Sequence, residues 1–107
     1  MRISGDAIIP RAKLTQYLLI PREVDDKAKF LAQAGFTLAD PGMLEAAIHE
    51  LIQTHDAIYD LTNEYGDFYR VEGPLIGPTG ELVVVTIWLL QTGSDGSFRF
   101  VTLKPKR

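Results

Sequence analysis

Cleaving a phosphodiester without a metal requires a general base, a general acid and cations that hold the phosphate. Glu72 or His55 could serve here as the base, with Lys27, Arg70 and Arg99 as the cations and Tyr65 and Thr86 beside them in the inventory. Each residue also has a plain structural use. Arg70 and Glu72 stand two apart on one strand and can pair with Arg99 across a sheet. His55, in the last turn of a helix, is well placed against the negative end of its dipole. Tyr65-Gly66 reads as a strand-entry turn with a packed ring.

Lys27 is the least ordinary of the set. In "DDKAKFLAQAGF" (25–36), helical winding gathers Ala28, Phe30, Leu31, Ala32 and Ala34 on one side and Lys29 and Gln33 on the other. Lys27 falls inside the apolar arc. A long stem that covers Phe30 and Leu31 and lifts its ammonium to water, or a salt bridge, accounts for it without catalysis.

Other chemistries are poorly supplied. His49 and His55 are six residues apart, so they diverge by about 240° around a helix and cannot grip one ion. No HExxH, DxDxDG or close carboxylate cluster appears, so no metal site is expected. "GPTG" is too short for a phosphate loop, and no glycine-rich strand-to-helix unit points to a nucleotide cofactor. With no cysteine and no serine in a nucleophile-elbow context, covalent hydrolase chemistry has no candidate. No cofactor is expected.

The elements that must position these groups are legible from periodicity and punctuation. The length, 107 residues, suits one domain (1–107) around one core. "DAIIPRAKLTQYLL" reads as an extended lead-in ending at Ile9, then a helix with a stripe of Leu14, Tyr17 and Leu18, stopped by Pro21. A second helix starts at Asp25 or Asp26 and ends at Gly35. The third has Asp40 as its cap, Pro41 in its first turn and "MLEAAIHELIQTH" following, with Leu44, Ala47, Ile48, Leu51 and Ile52 on one face. "AIYDLT" (57–62) reads equally as a short edge strand and as a frayed helix end. "DFYRVEGPLI", "ELVVVTIWLL" and "SFRFVTL", joined by the turns "GPTG" and "TGSDG", form an antiparallel meander. The fold class is therefore α+β: two to three N-terminal helices on a C-terminal sheet of three to four strands.

Pairing across the turns divides the sheet into two faces. Tyr69, Val71 and Leu75 align with Leu82, Val84, Thr86, Trp88 and Leu90, and with Phe98, Phe100 and Thr102, as the core beneath the helices. Phe68, Arg70 and Glu72 share the other face with Val83, Val85, Ile87, Leu89, Arg99 and Val101. That second face is too apolar to leave wet, yet few elements remain to cover it.

Net charge is −3, which weighs against bulk nucleic-acid binding. Between Phe30 and Phe98 Arg70 is the only cation, and the final "KPKR" reads as an exposed tail. The longest apolar run, "LVVVTIWLL", is strand-length rather than membrane-spanning, and "MRISGD" is no signal peptide. The expectation is a cytoplasmic protein with no membrane partner.

Three stretches together resemble an uncharacterised family of small bacterial domains of unknown function, found as stand-alone proteins and as C-terminal domains of phage-head-like or toxin-like proteins. They are "KLTQYLL" (13–19), "DKAKFLAQAGF" (26–36) and "EYGDFYRVEGPLIGPTGELVVVTIWLLQTG" (64–93), followed by "RFVTL". The resemblance spans nearly the whole chain. It departs at "PREVDDK", where the family carries a histidine or glycine-arginine stretch before the lysine. The order of helices then meander also resembles toxin ribonucleases of the barnase and RelE type, an analogy of fold alone.

Two readings follow. In the first, Phe68, Arg70, Val85, Ile87, Arg99 and Val101 form a partner-facing surface, most simply in a homodimer. In the second, the same face is the cleft of a metal-independent ribonuclease using Lys27, His55, Arg70, Glu72 and Arg99. The acidic balance and the missing family neighbours favour binding to a protein or to a second copy over RNA cleavage.

Overall fold

The sheet is built around the one strand whose sequence is apolar on both sides. In the computed structural model, which describes residues 1–21, 26–93 and 96–106, the strands are β1 (Ile58–Asn63), β2 (Gly66–Gly77), β3 (Gly80–Gln91) and β4 (Phe98–Pro105). Their order in space is β1-β2-β3-β4, and every neighbouring pair is antiparallel. β3 is thus internal, as "LVVVTIWLL" requires. Residues 58–63 resolve the ambiguity in "AIYDLT" as an edge strand, and all six are exposed. Against the outer edge of β4, Ile8 donates to the Phe98 carbonyl (2.8 Å) and accepts from the Phe100 N–H (2.8 Å).

Among the described residues, three helical pieces precede the sheet, which makes the fold α+β. The first, α1 (Arg11–Lys13), continues as a π-helical turn (Leu14–Leu18) that buries Leu14 and Leu18. α2 (Lys27–Ala32) is capped by Asp26, whose carboxylate accepts from the Lys29 N–H at 3.0 Å. Asp25, the other capping candidate, and Ser94-Asp95 of the second turn lie outside the described residues. α2 closes where its glycine requires. Phe36 N–H bonds the Leu31 carbonyl (3.2 Å), Gly35 N–H bonds that of Ala32 (3.0 Å), and Gly35 takes φ 91°. α3 (Pro41–Thr54) has Pro41 in its first turn, but the Asp40 side chain makes no capping bond, contrary to expectation. It ends at His55, whose backbone is extended. No helix of the described residues is long and apolar enough to cross a membrane.

The core lies between these helices and one face of the sheet. Leu14, Leu18, Leu31, Phe36, Leu44, Ile48, Leu51 and Ile52 meet Val71, Leu75, Val84, Trp88, Phe98, Phe100 and Leu103. Trp88 and Phe100 pack edge to face at 5.3 Å. One expected core position is corrected. Trp88 pairs with Phe100 but Ile87 pairs with Thr102, so Val101 is an unpaired extra residue in β4. This bulge advances the side-chain alternation by one. Leu103, fully buried, takes the core place expected for Thr102, and Thr102 stands opposite Ile87 instead.

A close backbone approach locks α2 to the β2–β3 hairpin. A Cβ on Gly77 would collide with the carbonyl oxygen of Ala34, so only glycine lets the two chains come this near. Thr79 N–H then reaches the same carbonyl at 3.0 Å.

Candidate functional site

Alternation along β2 decides which candidate residues share a side. Val71 and Leu75 enter the core, so Arg70 and Glu72 point to the opposite face. There Phe68 is opposite Leu89, Arg70 opposite Ile87 and Glu72 opposite Val85, while Leu89 faces Arg99 on β4. α3 packs on the other side, with Leu51 and His55 against Gly73. On the face away from α3, Val83 keeps 49% of its surface exposed and β1 adds Ile58 (48%) and Leu61 (46%). Phe68, Ile87, Leu89 and Val101 are half-buried, Val85 is buried, and Arg99 is exposed.

A line of alternating charges crosses this face. A second bulge, at Asp60 in β1, lets that carboxylate reach Arg70 Nη1 at 3.7 Å. Arg70 Nε lies 3.9 Å from Glu72, and Lys106 Nζ donates to Glu72 Oε1 at 2.9 Å. The first two contacts are long and half-exposed, worth little each. The Lys106 hydrogen bond is the short one. It is the main cause that holds the Glu72 carboxyl below its ordinary value, ahead of the Lys106 and Arg70 charges, while partial burial opposes it. Glu72 is thus a stable carboxylate, able to accept a proton only transiently. Lys106 itself corrects the tail reading: β4 runs to Pro105, and Lys106 N–H bonds the Val83 carbonyl at 3.0 Å. A proline is tolerated here because β4 is peripheral in the sheet.

Lys27 turns toward β4 rather than straight out to water. Its ammonium donates to the Tyr17 hydroxyl (3.0 Å) and to Thr102 Oγ1 (2.9 Å), and it lies 5.2 Å from the centre of the Tyr17 ring. Both partners are hydroxyl groups, and among the described residues no carboxylate pairs with it. The position exists because the Val101 bulge turned Thr102 out of the core. Beside it opens a cavity of about 730 Å³ lined by Asp26, Lys27, Phe30, Glu72, Val85, Lys104, Pro105 and Lys106.

The candidates therefore divide. Lys27 and Glu72 line one cavity, and Arg70 touches Glu72. Arg99 sits further along the same face, opposite Leu89. His55 does not join them: its ring lies on the helix side of the sheet, held by Thr54 Oγ1 at 2.9 Å from Nδ1. Thr86 is buried in the core, donating to the Val71 carbonyl and accepting from Trp88 Nε1, both at 2.9 Å. Tyr65 is 60% exposed rather than packed, and its backbone N–H donates to Asn63 Oδ1 at 2.9 Å. Sequence reasoning missed Tyr17, Thr102, Lys104 and Lys106 as companions of Lys27 and Glu72. No group of three metal-ligating side chains is present among the described residues.

A family model described as a domain of unknown function matches residues 4–107. Among solved structures, the chain is similar to one from a contact-dependent growth inhibition toxin–immunity protein complex of Klebsiella pneumoniae 342. The two are 20% identical, with a TM-score of 0.72 over 94% of this chain and 100% of the other. At that identity the likeness is one of fold. No curated protein matches.

Proposed function

The chain belongs to the DUF6883 family of domains of unknown function, and from that premise we propose that it is a protein-binding domain whose open sheet face docks a partner chain. The carrying observation is the apolar surface of Ile58, Leu61, Phe68, Val83, Ile87 and Leu89 on the side of the sheet away from α3. Full burial of such side chains is worth about 1.5–3 kcal/mol each, so covering half-exposed ones gains on the order of 1 kcal/mol apiece. Arg99, exposed and without a carboxylate partner among the described residues, supplies a charged rim that suits acidic groups on the partner. The similarity to a chain from a toxin–immunity protein complex supports a role in a protein pair of that kind.

A second copy of the chain is the simplest occupant. Sedimentation of the unmodified protein at high micromolar concentration is expected to show a dimer, and Ile87→Asp a folded monomer. A clean monomer for the unmodified chain refutes self-association and returns the face to a different protein or a substrate.

A second reading, metal-independent ribonuclease activity, is favoured by one observation: Lys27 and Glu72 meet around one cavity with Arg70 adjoining. With His55 on the other side of the sheet, Glu72 would act as base and a lysine as acid. RNA cleavage that is abolished by Glu72→Gln, with the fold intact, is the outcome this reading requires.

A further inference from the structure

We propose that the cavity beside Lys27 binds a phosphate monoester carrying a planar or apolar body, whether or not a protein docks on the sheet. The inference rests on how charge is arranged around the cavity. Three lysines line it against two carboxylates. Glu72 is already matched by the 2.9 Å bond from Lys106, and Asp26 uses an oxygen to cap the Lys29 N–H. Lys27 and Lys104 are left with no carboxylate partner among the described residues.

Lys27 is also prepared for an anion. Two hydroxyls and an aromatic ring fix a half-buried ammonium that would otherwise sample many rotamers. Part of the ordering cost of binding has thus been met in the free protein. An ammonium has three N–H donors, of which the described residues engage two. Lysine serves phosphate as a point charge. The lining's three lysines and two carboxylates sum to +1, and Lys27 and Lys104, neither in a salt bridge among the described residues, offer two such points to the oxygens of a phosphate monoester.

The remaining walls are not those of a bare anion site. Phe30, Val85 and Pro105 form an apolar lining, which inorganic phosphate cannot use. The volume, about 730 Å³, falls in the range of small-molecule sites and exceeds what a lone oxyanion fills. A planar ring against Phe30 with a phosphate held by Lys27 and Lys104 would use both the apolar and the charged residues of the lining.

Calorimetric titration with adenosine 5′-monophosphate, adenosine and inorganic phosphate tests this without any cleavage readout. Saturable binding of the monophosphate with a Kd below about 1 mM is expected, with both fragments weaker by at least tenfold. Lys27→Met should weaken the monophosphate tenfold or more, whereas Lys29→Met, exposed on the same helix, should leave it unchanged. If Lys27→Met fails to fold, Lys104→Met takes its place with the same expectation. Absence of saturable binding, equal binding of inorganic phosphate, or undiminished binding by the folded lysine variant overturns the proposal. Failure of any of these leaves the dimer measurement untouched.

Discussion

Thr86→Val removes one hydroxyl and almost no volume, and the structure says where the cost falls. Thr86 and Trp88 are both fully buried. The Thr86 hydroxyl accepts from the Trp88 indole N–H and donates to the Val71 carbonyl. Valine leaves the indole N–H without an acceptor, which costs about 1–3 kcal/mol, and deletes a bond to Val71 worth roughly 1 kcal/mol. The added methyl returns at most about 0.8 kcal/mol. The net is a destabilisation of about 2 kcal/mol, a fall in Tm on the order of 10 °C for a domain of this size. Trp88→Phe is destabilising for a different reason, lost volume, and it removes the orphaned donor. In that background the cost of Thr86→Val should shrink by about 1–2 kcal/mol. Urea unfolding followed by far-ultraviolet circular dichroism, with equal m-values, measures all four corners of the cycle. An equal cost in both backgrounds would refute the relay.

Two further outcomes follow from the same geometry. The Glu72 carboxyl is held below its ordinary value of 4.5 chiefly by Lys106. Its contribution to stability is therefore complete above about pH 4.5 and is lost as the pH falls through the lowered folded value. Lys106→Met should raise the Glu72 midpoint in a carboxyl NMR titration and flatten the stability profile in that acid window; an unmoved midpoint would contradict the assignment. Gly73→Ala places a Cβ 2.8 Å from Leu51 Cδ1 and 2.9 Å from the His55 ring, an overpacking worth about 1–3 kcal/mol that side-chain movement can partly relieve. Gly77→Ala meets the Ala34 carbonyl instead, which cannot swing aside, and should cost more in thermal unfolding than Gly73→Ala.

Local pattern was enough wherever one element answers to its own residues. "LVVVTIWLL" has no polar phase, so it had to be internal, and Gly35 had to end its helix because the closing turn needs a positive φ. The pattern failed where one extra residue changed phase. Phe98 and Phe100 mark one parity of β4, and the next core residue, Leu103, has the other; that shift in apolar parity is the visible trace of the Val101 bulge. The site depended on the bulge. Lys27 was conspicuous as a lysine in an apolar arc, but its hydroxyl partners lie 10 and 75 residues away. No spacing rule connects positions so distant, and Thr102 faces the lysine only once the bulge has turned it. Lys106 was hidden for a different reason: a basic "KPKR" ending resembles a solvated tail, and only the register of β4 against β3 brings it to Glu72.

The ties made by residues 1–8 set an order on how this chain can be made. Met1 accepts from the Ala57 N–H, Arg2 pairs with Asp56 at 2.7 Å, and Ile8 bonds the backbone of Phe98 and Phe100. The last of these closes a loop of roughly ninety residues, among the widest separations the chain allows. On a ribosome, the first segment would therefore leave the tunnel long before its neighbour exists. Leu14 and Leu18 can begin to collapse with α3, but the outer edge of β4 receives its backbone bonds from Ile8 only after Phe98 and Phe100 have been made. Such non-local closure slows folding. It also leaves residues 1–8, made well before the strand they join, among the last pieces to come to rest.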